Sequence, residues 1–456
     1  LFLVVVVLST KEEEEFVEIN VRVKENNRCY LNELKRLDLS GKGIGQFTKC
    51  SFDGLFSLRE LTLTGNNLTR LQEHSFNSLD SLTRLLVDSN RLASIDAYTF
   101  FYSPFLRELN LAFNHLNDSS LDSKSLANLF FLEHLTLDAN RFRTLKPTLF
   151  QDLFSLKKLS LSQNTIGTVD GAPFASLREL RELRLDHNRL ISLSNDSFHG
   201  LAALESLVLS HNQLHQIESC SFAGLFQLKL LDLSHNQLAH VDSDLFARVC
   251  ATCLEFVHLG ANKLHALDTN TFRHLKALKE LHLNSNRLVS LDSRLFWFNE
   301  HLIYLNLASN RITHLNGKLF FKLQRLQMLI LSDNQLKMLD EHVLINQRAL
   351  QLLRLDGNGL ASVEPDTFRS LREANIVDLS RNELTRLDSS TFSVMRKCRK
   401  LFLSHNNLGS NDDLDSNLFI NMANLQLIDL KFNQMLNKSR IKRLRFKSNY
   451  DFILLF

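Results

Sequence analysis

The chain has few of the residues that globular proteins ordinarily use to turn. Its 456 residues include only four Pro, fourteen Gly and one Trp. An average domain of this size would carry roughly twice that Gly and several times that Pro. Because Gly is scarce and 44% of the residues are hydrophobic, the composition excludes collagen-like and intrinsically disordered chains.

A long apolar run and a strong excess of one charge are also missing. The longest apolar run, Leu1 to Leu8, falls well short of the ~20 residues that a membrane-spanning helix needs. The formal net charge of +3 is too close to neutral to indicate nucleic-acid binding as the main function. A single core of this length would ordinarily split into domains, unless the chain is a repeat array.

A repeat is in fact the dominant feature of the sequence. The pattern L-x-x-L-x-L-x-x-N-x-L occurs seventeen times, and thirteen of the sixteen steps between copies are 24 residues long. The other steps are 26, 26 and 27 residues, so the register is never lost. The first positions of the copies are Leu34, Leu58, Leu82, Leu106, Leu132, Leu156, Leu180, Leu204, Leu228, Leu254, Leu278, Leu302, Leu326, Leu350, Ala374, Cys398 and Leu425.

The spacing within each copy predicts a short strand followed by a turn. Positions 4 and 6 alternate as inward-facing strand residues do, and neighbouring copies would stack such strands in parallel at ~4.8 Å. Position 9 is Asn in sixteen copies and Lys42 in the first. Because an Asn amide both donates and accepts hydrogen bonds, these residues predict a buried ladder that satisfies the backbone where each strand ends.

The second half of each repeat accounts for much of the phenylalanine, which numbers 34 residues. Position 19 is Phe in fourteen of sixteen complete units, with Leu126 and Leu344 in the other two. This regular spacing predicts a buried aromatic spine rather than a ligand-stacking surface. Only four Phe residues then fall at solvent-facing strand positions, namely Phe113, Phe256, Phe402 and Phe432.

In these motifs the chain resembles the typical, 24-residue class of extracellular leucine-rich repeats, over about residues 34–448. Toll-like receptor ectodomains, chaoptin, Slit and the acid-labile subunit are built from similar repeats. The resemblance implies an α/β solenoid, a curved leucine-rich-repeat horseshoe with a parallel β-sheet on its concave face. It also implies protein recognition at an extracellular or cell-surface location, without enzymatic activity or a cofactor.

The domain organisation follows from this resemblance. We expect an N-terminal leader or cap segment at 1–33, a solenoid of seventeen repeats at 34–448 and a truncated tail at 449–456. Leu1 to Leu8 fits the end of a secretory signal or a capping strand, and both interpretations stay open. The chain ends without a cysteine-rich cap, which favours a fragment of a longer protein.

The six cysteines do not fix the compartment. Cys398 takes the place of a core Leu and is predicted to be a buried free thiol. The resemblance implies a capping disulfide between Cys29 and Cys50. Cys250 and Cys253 form a C-x-x-C pair in a 26-residue unit, where a second pair for zinc and a βαβ context for redox chemistry are both missing. Four N-x-S/T sequons are candidate glycosylation sites, at Asn67, Asn117, Asn195 and Asn437.

A partner would contact the solvent-facing strand positions, which are 2, 3, 5, 7 and 8. At position 3 an apolar strip predicts a protein interface, with Ile330 and Arg354 beside it and a second candidate in Leu230 and Phe256. The alternative is loosely controlled surface composition. The four residues of the strip are Tyr304, Met328, Leu352 and Ile376.

Histidine is the other residue type that recurs at surface positions. Stacked imidazoles can hold a metal or respond to pH, but the sequence favours ordinary solvated side chains, so no metal site is predicted. G-x-S-x-G, H-E-x-x-H and phosphate-binding Gly loops are absent, and no catalytic residues are predicted. The recurring histidines are His187, His211 and His235 at position 8, and His258 and His282 at position 5.

These patterns favour a protein-recognition module, the ligand-binding ectodomain fragment of a leucine-rich-repeat cell-surface receptor. The expected partner is a protein ligand on the concave face, with a homodimer as a further option, no nucleic acid, and membrane attachment only through segments missing from this chain. The alternative is a secreted or membrane-anchored adhesion or matrix protein without a signalling domain, and a third option is an intracellular scaffold.

Overall fold

The fold was analysed in a computed structural model of the chain. It describes residues 3–9, 16–22, 34–47, 51–249, 252–409, 414–433, 443–446 and 453–456. The chain divides into two compact units, Leu1–Leu228 and Lys229–Phe456.

The first unit is a stack of short parallel strands, one for each repeat. Each of these three-residue strands occupies positions 3 to 5 of its repeat, and neighbours pair in register, so Arg36 lies beside Glu60 and Glu60 beside Arg84. The strands of this unit are β1 (Leu3–Ser9), β2 (Phe16–Arg22), β3 (Arg36–Asp38), β4 (Gln46–Phe47), β5 (Glu60–Thr62), β6 (Arg70–Leu71), β7 (Arg84–Leu86), β8 (Ser94–Ile95), β9 (Glu108–Asn110), β10 (His134–Thr136), β11 (Lys158–Ser160), β12 (Glu182–Arg184), β13 (Ser192–Leu193), β14 (Ser206–Val208) and β15 (Gln216–Ile217).

The N-terminal segment adds a small antiparallel sheet to this unit. β1 pairs antiparallel with β2 along its whole length, and its end also pairs with β4, Leu8 opposite Phe47. The first repeat therefore has a β-hairpin against it. The secretory-leader interpretation of the same residues stays a prediction.

The second unit repeats the same parallel stack. Its strands are β16 (Leu230–Asp232), β17 (Phe256–His258), β18 (Glu280–His282), β19 (Tyr304–Asn306), β20 (Met328–Ile330), β21 (Leu352–Arg354), β22 (Ile376–Asp378), β23 (Lys400–Phe402), β24 (Leu427–Asp429) and β25 (Ile453–Leu455). The last of these pairs in parallel with β24, so the segment expected to be a tail includes one more strand of the stack.

The expected leucine-rich-repeat solenoid of parallel strands is confirmed in both units. The return segments, which lead the chain from one strand to the next, differ from the α/β expectation. Within the described ranges they consist of turns and short second strands and contain no helix. Leu and Phe side chains fill the space between strand and return segment, which is why so many of them are fully buried. In the part of the chain that the structure describes, there is no helix long and apolar enough to cross a membrane.

Every repeat leaves its strand through a residue in the left-handed conformation. Position 8 has φ between 51° and 69° in all seventeen copies, although only three of these residues are Gly. That conformation directs the backbone N–H of position 8 to the next repeat, as in the 3.0 Å bond from the His187 N–H to the Ser210 carbonyl. Since an L-residue there costs roughly 1–2 kcal/mol, other bonds of the turn must compensate.

The Asn ladder supplies those bonds, and its prediction is confirmed. Asn286 Nδ2 donates to the carbonyls of Leu259 (2.9 Å) and Leu283 (3.1 Å), and its Oδ1 accepts from the Leu264 N–H (3.0 Å). Asn66 repeats this arrangement in the first unit. Fifteen of the sixteen ladder Asn residues are only 3–8% exposed, so each amide holds its own turn and the preceding one in place.

The predicted phenylalanine spine is also confirmed. All fourteen Phe residues at position 19 are at most 1% exposed. Neighbouring rings stack with centroids 5.7–6.5 Å apart in the first unit and 6.1–6.4 Å apart in the second. Phe446 extends the stack beyond Phe419 at 5.5 Å. These rings are therefore core, and the binding surface must be sought elsewhere.

Candidate protein-binding face

The strand face is the surface formed by the side chains of positions 3 and 5 together with the flanking positions 2 and 7. In the first unit this face is charged and internally paired. At position 3, Arg36 lies 3.1 Å from Glu60, and Arg84 lies 2.9 Å from Glu108. At position 2, Lys157 donates a 2.7 Å hydrogen bond to Glu133. This bond is the largest cause of the lowered pKa of the Glu133 carboxyl.

In the second unit the same face is apolar over several repeats. The strand pairing places Tyr304 beside Met328, Met328 beside Leu352 and Leu352 beside Ile376. Met328 is 37% exposed and the other three are half-buried. Four strands at ~4.8 Å make this strip about 15 Å long, so the structure brings together the residues that the sequence analysis grouped.

The second predicted group belongs to the same column. Leu230 is the parallel partner of Phe256, and Phe256 is followed by Glu280 and then Tyr304. We call the column from Leu230 to Ile376 the apolar column, with Glu280 as its one polar member. Ile330 lies at position 5 of the neighbouring row, between Asn306 and Arg354.

A carboxylate–guanidinium network borders the apolar column. Arg354 makes two 3.1 Å bonds to Asp356, and Arg381 reaches Asp356 at 2.6 Å and Asp333 at 3.0 Å. Burial alone would raise the pKa of Asp356, but hydrogen bonds from Ser332, Arg381 and Arg354 outweigh it and lower that pKa. Arg354 is therefore held by its own chain, and it contributes a fixed polar rim.

Two of the five singled-out histidines meet a carboxylate on this face. His258, Glu280 and His282 have ligand atoms that all lie within 4.8 Å of one another. The His282 ring is 4.4 Å from the His258 ring and stacks on Tyr304 at 4.7 Å. Burial, reinforced by nearby His258 and opposed by Asp232, lowers the pKa of His282 to about 4.

Sequence reasoning missed Glu280 because it compared residues of equal repeat position. Glu280 occupies position 3 and His282 position 5 of one strand, so the alternation of the strand puts both on one face. The strand alternation was therefore the sequence signal that could have placed Glu280 next to His282. His187 and His211 stack at 4.2 Å at position 8 of the first unit.

Exposed Phe is not limited to the four solvent-facing strand positions. Phe113 and Phe432 are indeed exposed, and Phe256 and Phe402 are half-buried. Further aromatic residues are exposed on the return segments. They come shortly after position 19 of their repeats, where side chains face outward in most repeats. They are Phe56, Phe101, Tyr102, Phe105, Phe130, Phe131, Phe154, Phe226, Trp297, Phe298 and Phe321.

The three cysteines that the structure describes contribute no reactive group to this face. Cys398 is a free thiol with no exposed surface, as predicted, and burial raises its pKa to about 12. Cys253 is in a disulfide. Cys29, Cys50 and Cys250 lie outside the described residues, so the proposed bond between Cys29 and Cys50 stays a prediction.

Three of the four sequons lie in the first unit, outside its strands. Asn67 and Asn195 are exposed. Asn117 is half-buried, and its Oδ1 accepts a 2.7 Å bond from the Ser119 hydroxyl of its own sequon. Asn437 lies outside the described residues.

Solved structures with the same fold come from several organisms. A leucine-rich-repeat protein of Leptospira interrogans is 26% identical, with a TM-score of 0.72 over 84% of this chain and 96% of that one. Drosophila Toll, in its complex with Spatzle, matches with a TM-score of 0.76 at 21% identity. Toll in a second structure of the Toll–Spatzle complex matches at 25% identity with a TM-score of 0.70.

The coverage of these matches is uneven. The Toll matches cover 84% and 85% of this chain but 52% and 49% of the Toll chains, so the chain spans about half of their length. In the TLR13–ssRNA13 complex the match reaches a TM-score of 0.51 at 23% identity, over 92% of this chain and 79% of that one. The comparison with curated proteins finds no match.

Family models give the most direct assignment. A model described as leucine rich repeat matches residues 32–92, 131–190, 178–238, 253–312, 300–360 and 348–408, and a second one with that description matches 102–123. Together the matched ranges span well over half of the chain. The chain therefore belongs to the leucine-rich-repeat family, whose fold is a protein-interaction scaffold rather than a typical enzyme fold.

Proposed function

We propose that this chain is the ligand-binding part of the ectodomain of a leucine-rich-repeat cell-surface receptor, and that it binds a protein ligand on the apolar column. The observation that carries the proposal is the contrast between the two strand faces. The first unit neutralises its own charges across neighbouring strands. The second unit leaves Tyr304, Met328 and Leu352 side by side with a polar rim.

The composition of the column fits a protein partner better than a small molecule. The core of an interface is more apolar than its rim and is enriched in Tyr, Phe and Met, whereas charged residues lie around it. The column is bordered by Arg354 and Arg381, whose charges are countered by Asp356 and Asp333. Toll, whose chain matches this one, was solved in complex with the protein Spatzle, which supports a protein as the ligand class.

The first prediction concerns the partner. A double variant Tyr304→Asp, Met328→Asp should weaken binding of the purified partner by about 100-fold, because two carboxylates would be desolvated at the centre of the contact. The partner is first captured from extracellular protein by a photo-crosslinking residue at position 328 and identified by mass spectrometry. The purified protein is then titrated against wild type and variant by calorimetry.

The matched control is Phe226→Asp, since Phe226 is 60% exposed and does not belong to the strand face. It should bind as wild type does, and all variants should keep the wild-type melting temperature. Unchanged affinity in the double variant would refute the apolar column as the binding site. If crosslinks formed only between copies of this chain, the column would instead be a homodimer interface.

The second prediction concerns the location. An extracellular protein should carry N-glycans on exposed Asn67 and Asn195, detected as mass shifts of their peptides that an amidase removes. Occupied sequons on the native protein support passage through the secretory pathway. Unmodified Asn67 and Asn195 on every native molecule would contradict the proposed location.

An adhesion or matrix protein without a signalling domain is the alternative. The two functions differ in segments outside this chain. A full-length transcript that encodes a transmembrane helix followed by an intracellular signalling domain supports the receptor. A lipid-anchor signal or further extracellular modules would support adhesion.

A further inference from the structure

We propose that His258, Glu280 and His282 form a binding site for a divalent transition metal of the zinc class. This inference concerns metal binding by the chain itself and does not depend on the proposed receptor function. It rests on three potential ligands that lie close together on two adjacent strands.

The backbone fixes the positions of these ligands. β17 and β18 pair in parallel with His258 directly beside His282, so the two imidazoles project from neighbouring strands toward the same side. Glu280 lies two residues before His282 and shares its face. Its Oε2 is 3.9 Å from His282 Nε2. Zinc bonds of 2.0–2.2 Å place neighbouring ligand atoms about 3.5 Å apart, so small side-chain rotations bring all three to one ion.

The chemistry of the set suits this class of metal. Two imidazole nitrogens and one carboxylate oxygen are ligands of borderline ions such as Zn²⁺, whereas Ca²⁺ and Mg²⁺ prefer oxygen alone. An imidazole binds such an ion in its neutral form.

The surroundings orient the ligands. Tyr304 stacks on the His282 ring at 4.7 Å and limits its rotation. Asp232 is the cross-strand neighbour of His258 and adds negative charge beside the imidazoles. Tyr304 and Asp232 are therefore positioning residues of the site, which act on the imidazoles and not on the ion.

The site keeps room for a ligand from outside the chain. Three protein ligands leave at least one position of a tetrahedral ion open. All three side chains are only half-buried, and Glu280 lies between Phe256 and Tyr304 of the apolar column. A water molecule completes the coordination of the isolated chain, and a carboxylate or imidazole from a bound protein can replace it.

Titration of the purified chain with Zn²⁺ tests the site. After treatment with a chelator, the protein is titrated near neutral pH in competition with a chromophoric chelator. We expect one high-affinity equivalent. Glu280→Gln and His258→Asn should each weaken it by about tenfold or more, since each removes one ligand and keeps a similar shape. Co²⁺ should give visible absorption bands of a four-coordinate site that both variants lose.

Because the chain has seventeen histidines, a control must separate this site from general surface binding. His187→Asn removes a histidine from the stacked pair of His187 and His211 and should leave the single equivalent unchanged. The melting temperature without metal should be the same for all variants. Equal affinity of wild type, Glu280→Gln and His258→Asn, or binding without a defined stoichiometry, would overturn the proposal.

Discussion

Replacing Phe272 with alanine should lower the free energy of unfolding of the chain by about 3–5 kcal/mol. Phe272 has no exposed surface. Its ring stacks between Phe246 at 6.3 Å and Phe296 at 6.2 Å. The substitution removes the contacts of a whole ring and leaves a cavity that the neighbouring backbone, held by strand pairing, closes only in part. Denaturant titration followed by circular dichroism measures the loss.

Two further substitutions give this prediction its controls. Phe298 is 45% exposed on a return segment, so Phe298→Ala should change stability by less than about 1 kcal/mol. Phe272→Leu should cost less than Phe272→Ala, because Leu344 fills the same spine position while buried. If Phe298→Ala proved as damaging as Phe272→Ala, the stacked spine would not be the source of stability.

Asn286→Asp should destabilise the chain by about 3 kcal/mol or more at neutral pH. The amide of Asn286 donates to the carbonyls of Leu259, Leu283 and Asn284 at 2.9–3.2 Å. An aspartate of the same shape offers these carbonyls no donor and adds a buried negative charge. Each unsatisfied buried group costs about 1–3 kcal/mol, and a charged one costs more. Denaturant titration at neutral pH measures the difference.

The pH dependence of this variant supplies an independent check. Burial among carbonyls raises the folded-state pKa of the new carboxyl above its unfolded value. Protonation therefore stabilises the folded state, so the defect should be smaller at mildly acidic pH and should grow as the pH rises through the raised pKa. Asn284→Asp, at a half-buried surface position, should show neither the large loss nor this trend.

The fold was predictable because its determinants recur in every repeat. A single Leu or Asn would say little, but a period of 24 residues fixes which side chains are equivalent and which point inward. The buried amide of Asn286 and the buried ring of Phe272 follow from that equivalence. The left-handed residue at position 8 was not predictable, since Phe113, Ala139 and Arg381 all adopt it and share no local preference for it.

The candidate sites were predictable only where one repeat position carries them. The apolar column lies at position 3, so Tyr304 and Met328 were grouped correctly. The network around Asp356 draws on three different positions, and its pairings depend on side-chain geometry that no period specifies. Glu280 was missed for a related reason. It lies at position 3 of one strand, whereas His258 lies at position 5 of the neighbouring strand, so a comparison of equal repeat positions does not connect them.

The Asn bonds also bear on how such a chain can change in length. Asn286 reaches a carbonyl 27 residues earlier and a backbone N–H 22 residues earlier. After the longer repeat, Asn262 spans 29 and 24 residues but engages the equivalent partners. Each amide thus bonds to equivalent backbone groups of the adjoining turn, whatever the length of the loop between them. Duplication or excision of one whole repeat would leave the remaining Asn residues with equivalent partners, so the strand face can be lengthened or shortened by whole repeats.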